Sequence, residues 1–282
     1  MPRKRTKMVP MKYPVGQEYS YRKILLRLNY QYKLTLKKNM SPYVNSMANE
    51  ATAVHLPTGE IRQDAGWQDT LTRIMLRISK DMQTPISKAI ADMLKVGPQV
   101  SNYNKNEWQR LIRSQYGVDP TKEAPDRFNA LLKNWSHNNS LLIKDIPHKT
   151  SLQIAEQTTK ALVEGTNLDD TRKAIFDIMS ERTDVSDSRA KLIARDQVSK
   201  LNGQLTRERQ TDLGVDGYIW RTVGDERVRD THDENDGNFF SWDNPPAETG
   251  HPGEDYQCRC WAEPVLPEAV DFEASLLEEA DA

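Results

Sequence analysis

The stretch that most constrains the fold of this chain is residues 218–265, where helical spacing gives way to strand spacing. The whole chain has 282 residues, and this stretch contains both of its cysteines, two of its five histidines and three of its six tryptophans. Tyr218, Trp220 and Thr222 alternate with side chains of the opposite face, and this period of two predicts a β-strand. A second strand is predicted for residues 258–265. We expect the two strands to pair.

The residues between these strands are predicted to form short elements. Residues 227–233 are expected to make a helical turn, and residues 239–241 a short strand. The prolines that open residues 245–253 predict a long, rigid loop.

Upstream of residue 213, apolar residues recur three and four positions apart, which predicts amphipathic helices. Thr150 and Asn167 are predicted to cap two of them, because their side-chain oxygens can accept hydrogen bonds from free backbone N–H groups. The residues around His137 and His148 are predicted to be polar linkers at the surface. The predicted helices cover residues 20–39, 41–54, 67–94 with a kink or junction at Pro85 and an end at Gly97-Pro98, 107–116, 126–135, 150–165, 167–185 and 186–211.

These patterns together predict an α+β protein, with a mainly α-helical, elongated N-terminal region and a small C-terminal module with a short antiparallel sheet. A chain of this length is long enough for two domains. The predicted order is a basic extended arm at 1–19, a helical region at 20–145, a helical unit at 146–212, an α+β module at 213–265, and an acidic tail at 266–282.

Charged residues are distributed unevenly along the chain, although its formal net charge is only -2. Residues 1–40 carry eleven lysines and arginines against one acid, whereas residues 263–282 carry seven acids and no base. The basic arm is a candidate contact for double-stranded DNA or for an acidic protein surface, because clustered cations neutralise phosphates and release counterions. A solvated tail is an equally good interpretation. The arm residues proposed for this contact are Arg3, Lys4, Arg5 and Lys7.

No apolar run is long enough to cross a bilayer, and no apolar signal segment follows the basic start of the chain. We therefore expect a soluble protein made in a cytoplasm, with no membrane partner.

His232, His251, Cys258 and Cys260 are the candidate ligands of a zinc ion, since imidazole and thiolate groups bind zinc tetrahedrally. On a strand, Cys258 and Cys260 would face the same side, with Cα atoms near the upper limit for a disulfide. Reduced thiols or metal ligands are therefore favoured. In the alternative interpretation the cysteines are small buried apolar residues, and His232 is hydrogen-bonded to a carboxylate that fixes one loop on another.

A hydrolytic site is the second chemical hypothesis. Asp225, Asp230, His232, Asp233 and Asp236 crowd into twelve residues, where they could hold Mg²⁺ or supply a histidine base for a nuclease. The same acids with a glycine also describe an ordinary surface turn. The sequence has no glycine-rich phosphate loop, serine elbow or zinc-protease helix.

A salt-bridged scaffold is the interpretation we prefer for Asp225, Arg227, Arg229 and His232. Arginine binds carboxylates through two parallel hydrogen bonds, and such pairs orient loops where the core is small. Metal binding would then be an addition to this scaffold.

Several of these residues also occur in an order that resembles a known family, the Mu F-like phage head morphogenesis proteins, or minor head proteins. The similarity extends weakly back to about residue 186, where Ala194-Arg195 matches a pair in a family helix. The residues that carry the resemblance are Trp220, Asp225, Arg227, Arg229, His232, Asp236, Gly237, Phe239, Phe240, Cys258, Arg259, Cys260, Pro264 and Val265.

The resemblance implies a structural, non-enzymatic minor capsid protein of a tailed bacteriophage, located in the virion near the portal vertex and assembled in the host cytoplasm. Its implied partners are the portal protein, the major capsid or scaffolding protein and packaged double-stranded DNA. The alternative is a metal-dependent nuclease or a toxin-like effector carried in the particle. The residues assigned to the structural module are Trp220, Asp225, Arg227, Arg229, His232, Asp236, Gly237 and Arg259.

Overall fold

A computed structural model describes residues 9–53, 66–117, 120, 125–165 and 167–265. Long helices precede a small antiparallel sheet, which confirms the predicted α+β class. None of the described helices combines the length and the apolar character needed to cross a bilayer. The elements are α1 Val15–Met40, a 3-10 turn Ser41–Tyr43, α2 Val44–Ala53, α3 Trp67–Asp81, α4 Gln83–Met93, α5 Val96–Tyr116, α6 Pro125–Glu164, α7 Leu168–Asp212, β1 Gly217–Arg221, α8 Asp230–Asn235, β2 Phe239–Ser241 and β3 Trp261–Pro264.

The chain divides into two compact units. One contains the described residues of 20–94 and 137–194, and the other contains those of 1–19, 95–136 and 195–282.

The first of these units has α1 at its core. One stripe of α1 is buried, as its three-and-four spacing predicts, and it includes Tyr21 and Tyr32. The hydroxyl of Tyr21 donates to Asn139 Oδ1 at 2.6 Å, and the hydroxyl of Tyr32 lies 2.8 Å from Ser151 Oγ. Both buried phenols therefore have polar partners on α6, which orients the two helices.

Helix α6 runs for 40 residues without the polar linker that we predicted after Trp135. It passes through Pro147, although proline in a helix interior costs about 3 kcal/mol. Ile143, Ile146 and Ile154 are all buried on its inner side, and this packing outweighs the local cost. Thr150 is likewise inside the helix and not a cap, because its hydroxyl donates to the Ile146 carbonyl at 2.8 Å.

Helix α7 is a single helix of 45 residues, where we predicted two. Thr183 and Ser186 are buried and continue the stripe across the predicted break, so the apolar pattern was interrupted only by small polar residues. The predicted cap at its start is confirmed. Asn167 Oδ1 accepts the backbone N–H of Asp169 at 2.9 Å and that of Asp170 at 3.2 Å.

Three helix boundaries upstream also differ from the prediction. Helix α1 begins at Val15, inside the predicted extended arm. The junction predicted at Pro85 lies three residues earlier, at Met82, where α3 and α4 meet. Gly97-Pro98 lies in the first turn of α5 and does not end a helix. Proline is accommodated there because the first N–H groups of a helix have no partner within it.

The other unit contains the C-terminal module, residues 213–265, which is built on a three-stranded sheet of order β2-β1-β3. The predicted pairing of β1 with the last strand is confirmed, and it is antiparallel, with Trp220 opposite Ala262. Tyr218 and Trp220 are fully buried on one face of β1. The last strand begins at Trp261 and is shorter than predicted, so Cys258 and Cys260 lie before the strand and not on it.

The second half of α7 contacts this module closely at two places. A Cβ on Gly203 would lie 2.5 Å from the Pro252 carbonyl oxygen, so only glycine allows this approach of the loop to the helix. Farther along, the buried Gln210 side-chain amide donates to the Ala262 carbonyl at 2.9 Å. The helix therefore fixes both a loop and the edge strand β3.

The described part of the predicted arm packs within the same unit. Met11 is buried, the Lys12 N–H donates to Glu107 Oε2 at 3.0 Å, and Arg110 donates to the Pro10 carbonyl at 2.8 Å. Residues 9–14 are thus held against α5.

Candidate metal centre

A cluster of three metal-binding side chains lies beside the sheet. His232 is on α8, and Cys258 and Cys260 are in the segment that leads into β3. Their ligand atoms lie within 4.8 Å of one another. His232 Nδ1 is 3.3 Å from Cys260 Sγ and 3.6 Å from Cys258 Sγ. The two thiols therefore face one imidazole nitrogen, although the strand we expected to aim them begins only after Cys260.

The other nitrogen of His232 is held by a carboxylate. Its Nε2 lies 2.9 Å from Asp255 Oδ2, and Arg229 also binds this carboxylate. Burial raises the pKa of Asp255, but the hydrogen bonds from His232 and from the Tyr256 N–H, with the charge of Arg229, outweigh it and lower this pKa. The ionised carboxylate fixes the orientation of the ring and leaves Nδ1 to the sulfurs.

The surroundings of the two sulfurs favour the thiolate form of Cys258. Cys258 Sγ accepts the N–H of Gly253 at 3.3 Å and the N–H of Cys260 at 3.4 Å. The Cys260 thiol lowers the pKa of Cys258 most, and His232 and these N–H groups lower it further. The pKa of Cys260 is raised by its hydrogen bond to Cys258 and by burial, which the indole of Trp220 partly opposes. Both cysteines are free.

His251, the fourth predicted ligand, occupies a different place in the module. Its Nδ1 lies 3.0 Å from the Tyr218 hydroxyl, and its ring centroid is 4.9 Å from that of Trp242. Burial lowers the pKa of His251, so the neutral ring is favoured. The structure therefore brings together three of the four predicted ligands and places His251 in the aromatic core.

Asp225 and Arg259 form a two-bond ion pair that ties the loop after β1 to the segment before β3. Arg259 Nη1 and Nη2 donate to the two carboxylate oxygens at 2.7 and 2.6 Å. The Arg259 guanidinium lowers the pKa of Asp225. The backbone N–H of Arg227 donates to Asp225 Oδ1 at 3.1 Å, while its side chain is exposed. Arg227, which we predicted as part of the salt-bridged scaffold, thus binds Asp225 through its backbone, and Arg259 supplies the guanidinium.

Asp236 and Gly237 shape the turn after α8. Asp236 Oδ1 accepts the Thr222 N–H at 2.7 Å, and the Gly237 N–H donates to the Trp220 carbonyl at 2.9 Å. Gly237 has a φ of 82°, a conformation in which glycine is unstrained. Both predicted residues therefore form hydrogen bonds with the backbone at the end of β1.

The acids of the predicted hydrolytic cluster do not join the three-ligand group found among the described residues. Asp225 binds Arg259, Asp236 accepts a backbone N–H, and Asp230 and Asp233 are exposed on α8.

Two acids with roles at the module were not predicted. Asp255 holds His232, and Asp196 on α7 accepts the Gln257 N–H at 3.2 Å. Asp196 lies within a predicted helix, whose periodicity marks the apolar residues and not this acid. The one available signal for Asp255 was its closeness in sequence to Cys258. Arg195, the arginine of the Ala194-Arg195 pair, binds Glu18, with Nε 3.4 Å from Oε1. Arg3, Lys4, Arg5 and Lys7 lie outside the described residues.

A long helix backed by a small sheet, with a histidine and two cysteines clustered at its edge, defines a compact α+β module. Residues 152–263 match the family of Phage Mu protein F like proteins. These residues therefore form a Mu F-like domain, as the sequence motifs predicted. The match begins well before residue 213, so it includes about the last third of α6 and all of α7.

The chain is also similar to an uncharacterized protein of Haemophilus influenzae. The two are 30% identical over 254 residues, which are 86% of this chain and 55% of the relative. The chain thus spans about half the length of that protein. No solved structure matches the chain.

Proposed function

We propose that this chain is a structural minor head protein of a tailed bacteriophage. It associates with the portal as a structural component and has no catalytic role. One observation carries the second part: three arginines of the module pair with acids of the same module. Arg259 binds Asp225 through both nitrogens, Arg221 binds Glu263, and Arg229 joins Asp255. Groups committed to internal pairs orient loops and are not free to bind a substrate.

We further propose that the basic start of the chain contacts the portal or packaged DNA, with the major capsid or scaffolding protein as a neighbour. The sequence supports this through the four cations of the first seven residues, Arg3, Lys4, Arg5 and Lys7. Residues 9–14 pack against α5, so the contact is assigned to the residues before them.

A truncation that removes only residues 1–8 tests this contact, because it leaves the packed residues in place. We expect the truncated protein to fold normally and to bind portal or DNA more weakly, with a reduced dependence on salt. A truncation of residues 275–282, which also removes eight residues, is the matched control for chain length. Unchanged binding of the first variant at low salt would contradict the assignment.

The competing function is a metal-dependent nuclease, and it has a direct assay. Purified full-length protein is incubated with double-stranded DNA and Mg²⁺ or Zn²⁺, alongside His232→Ala and the exposed control His137→Ala. We expect no cleavage from any of the three. Metal-dependent cleavage that only His232→Ala loses would establish the enzyme and refute the structural role.

A further inference from the structure

We propose that His232, Cys258 and Cys260 bind one zinc ion, with water as the fourth ligand, and that this ion is a structural clip of the C-terminal module. The site goes beyond the role in head assembly, and it would stand if that role were wrong. Its residues come from α8 and from the segment before β3, which are 26 residues apart between His232 and Cys258.

The spacing of the ligand atoms fits zinc. Zinc lies about 2.3 Å from thiolate sulfur and about 2.0 Å from imidazole nitrogen, so a tetrahedral site separates sulfur from nitrogen by about 3.5 Å. The two separations here are 3.3 and 3.6 Å. Two sulfurs and one imidazole select zinc over the hard cations Mg²⁺ and Ca²⁺, which take oxygen ligands.

The groups around the ligands are those that a metal site needs. Metal-binding histidine commonly donates its other N–H to a carboxylate, and Asp255 accepts from His232 at 2.9 Å. Cys258 Sγ accepts two backbone N–H groups, which stabilise the negative charge of a thiolate. The buried Trp220 Nε1 has no other partner in the described chain, and its indole lies beside Cys260.

The fourth ligand is assigned to water because His251 is committed elsewhere. Its Nδ1 faces the Tyr218 hydroxyl, and the Trp242 carbonyl also interacts with its ring. Cys260 lines a cleft of about 260 Å³, which gives water a route to the site. When zinc binds, the thiols of Cys258 and Cys260 release their protons to solvent.

The sheet of the module gives the ion a structural purpose. Its strands have five, three and four residues, and its apolar cluster contains five buried residues. In a module with a core of this size, ligation energy adds directly to folding energy and supplements the contact of α7 with the long loop between β2 and β3. Zinc would therefore lock this loop and α8 onto β1.

Metal content of the full-length protein is the first test. After purification from zinc-containing medium, mass spectrometry is expected to give about one zinc per chain. Cys258→Ser and Cys260→Ser are expected to retain less than a tenth of this, and X-ray absorption of the wild type is expected to show two sulfurs and one imidazole nitrogen on the metal. A wild type without zinc, or a metal without sulfur ligands, would overturn the proposal.

Two histidine variants separate the three-ligand site from its alternatives. His251→Gln is expected to keep zinc, whereas a loss of zinc equal to that of the cysteine variants would make His251 the fourth ligand and refute the assignment of water. His137→Ala, on the exposed surface of α6, is the control. Because a cysteine variant can lose metal by failing to fold, wild-type protein is also treated with a chelator. Its melting temperature is expected to fall and to return on addition of zinc, and no change would refute a structural role.

Discussion

Gly203 gives the sharpest test of how α7 holds the module. In an ordinary helix, replacing glycine with alanine adds up to about 1 kcal/mol of stability. Here the new Cβ would lie 2.5 Å from the Pro252 carbonyl oxygen and 3.3 Å from Gly253 Cα. Both are backbone atoms that cannot rotate away, so the loop has to move by several tenths of an ångström.

The expected loss of stability in Gly203→Ala follows from these two opposing effects. Overpacking typically costs about 1–3 kcal/mol, and a clash with backbone falls in the upper half of this range. After the helix gain is subtracted, Gly203→Ala is expected to lower the free energy of unfolding by about 1–2 kcal/mol. At about 2–4 °C per kcal/mol, the melting temperature falls by about 2–8 °C.

Thermal and denaturant unfolding of the two proteins measure this loss. Gly16→Ala is the matched control, because Gly16 is in α1 and a Cβ there meets no atom within 4 Å. We expect the control to be unchanged or slightly stabilised. A Gly203→Ala protein as stable as the wild type would show that the loop does not approach α7 as closely as described.

Three other substitutions test separate parts of the account. Asn167→Ala removes the cap of α7 and is expected to cost about 1 kcal/mol in thermal unfolding, whereas the exposed Asn138→Ala in α6 should cost much less; equal effects would contradict the capping role. Since burial lowers the pKa of His251, the unfolded chain binds more protons near the usual histidine pKa of about 6.5, so stability should fall as the pH drops below that value. His251→Asn should make this decrease shallower in unfolding curves between pH 7 and pH 5, and an unchanged slope would count against the buried neutral ring. Asp255→Asn should weaken zinc affinity by about 10–100-fold in titrations against a competing chelator, and wild-type affinity would show that this carboxylate does not orient His232.

The strands of the module were predictable because their signal is local. Tyr218 and Trp220 alternate with less buried neighbours, and a half-buried strand imposes this period of two. The final strand follows the same rule, with Ala262 and Pro264 buried. The strand at 239–241 was predicted from its aromatic pair and its closeness in sequence to β1.

The long helices were harder because packing between distant residues decides them. Pro147 is a local signal for a break, yet buried isoleucines on both sides hold α6 together. In α7, Thr183 and Ser186 hide the continuity of the buried stripe, because small polar residues look like an interruption in the sequence. Their burial becomes visible only when the neighbouring elements are in place.

The candidate site was predicted in part. Residue type alone selected His232, Cys258 and Cys260, since few side chains bind soft metals. The same reasoning also selected His251, which differs from them only in its surroundings. Asp255 was missed because it lies in an irregular loop, where spacing does not predict which way a side chain points.

The central claim is that this chain holds a place in the phage head and does not process a substrate. Cryo-electron microscopy of the finished particle, with symmetry relaxed at the portal vertex, measures this directly. The account predicts density for the chain inside the head beside the portal, with the C-terminal module in its folded form. Heads that form normally and contain no copy of the chain would contradict it.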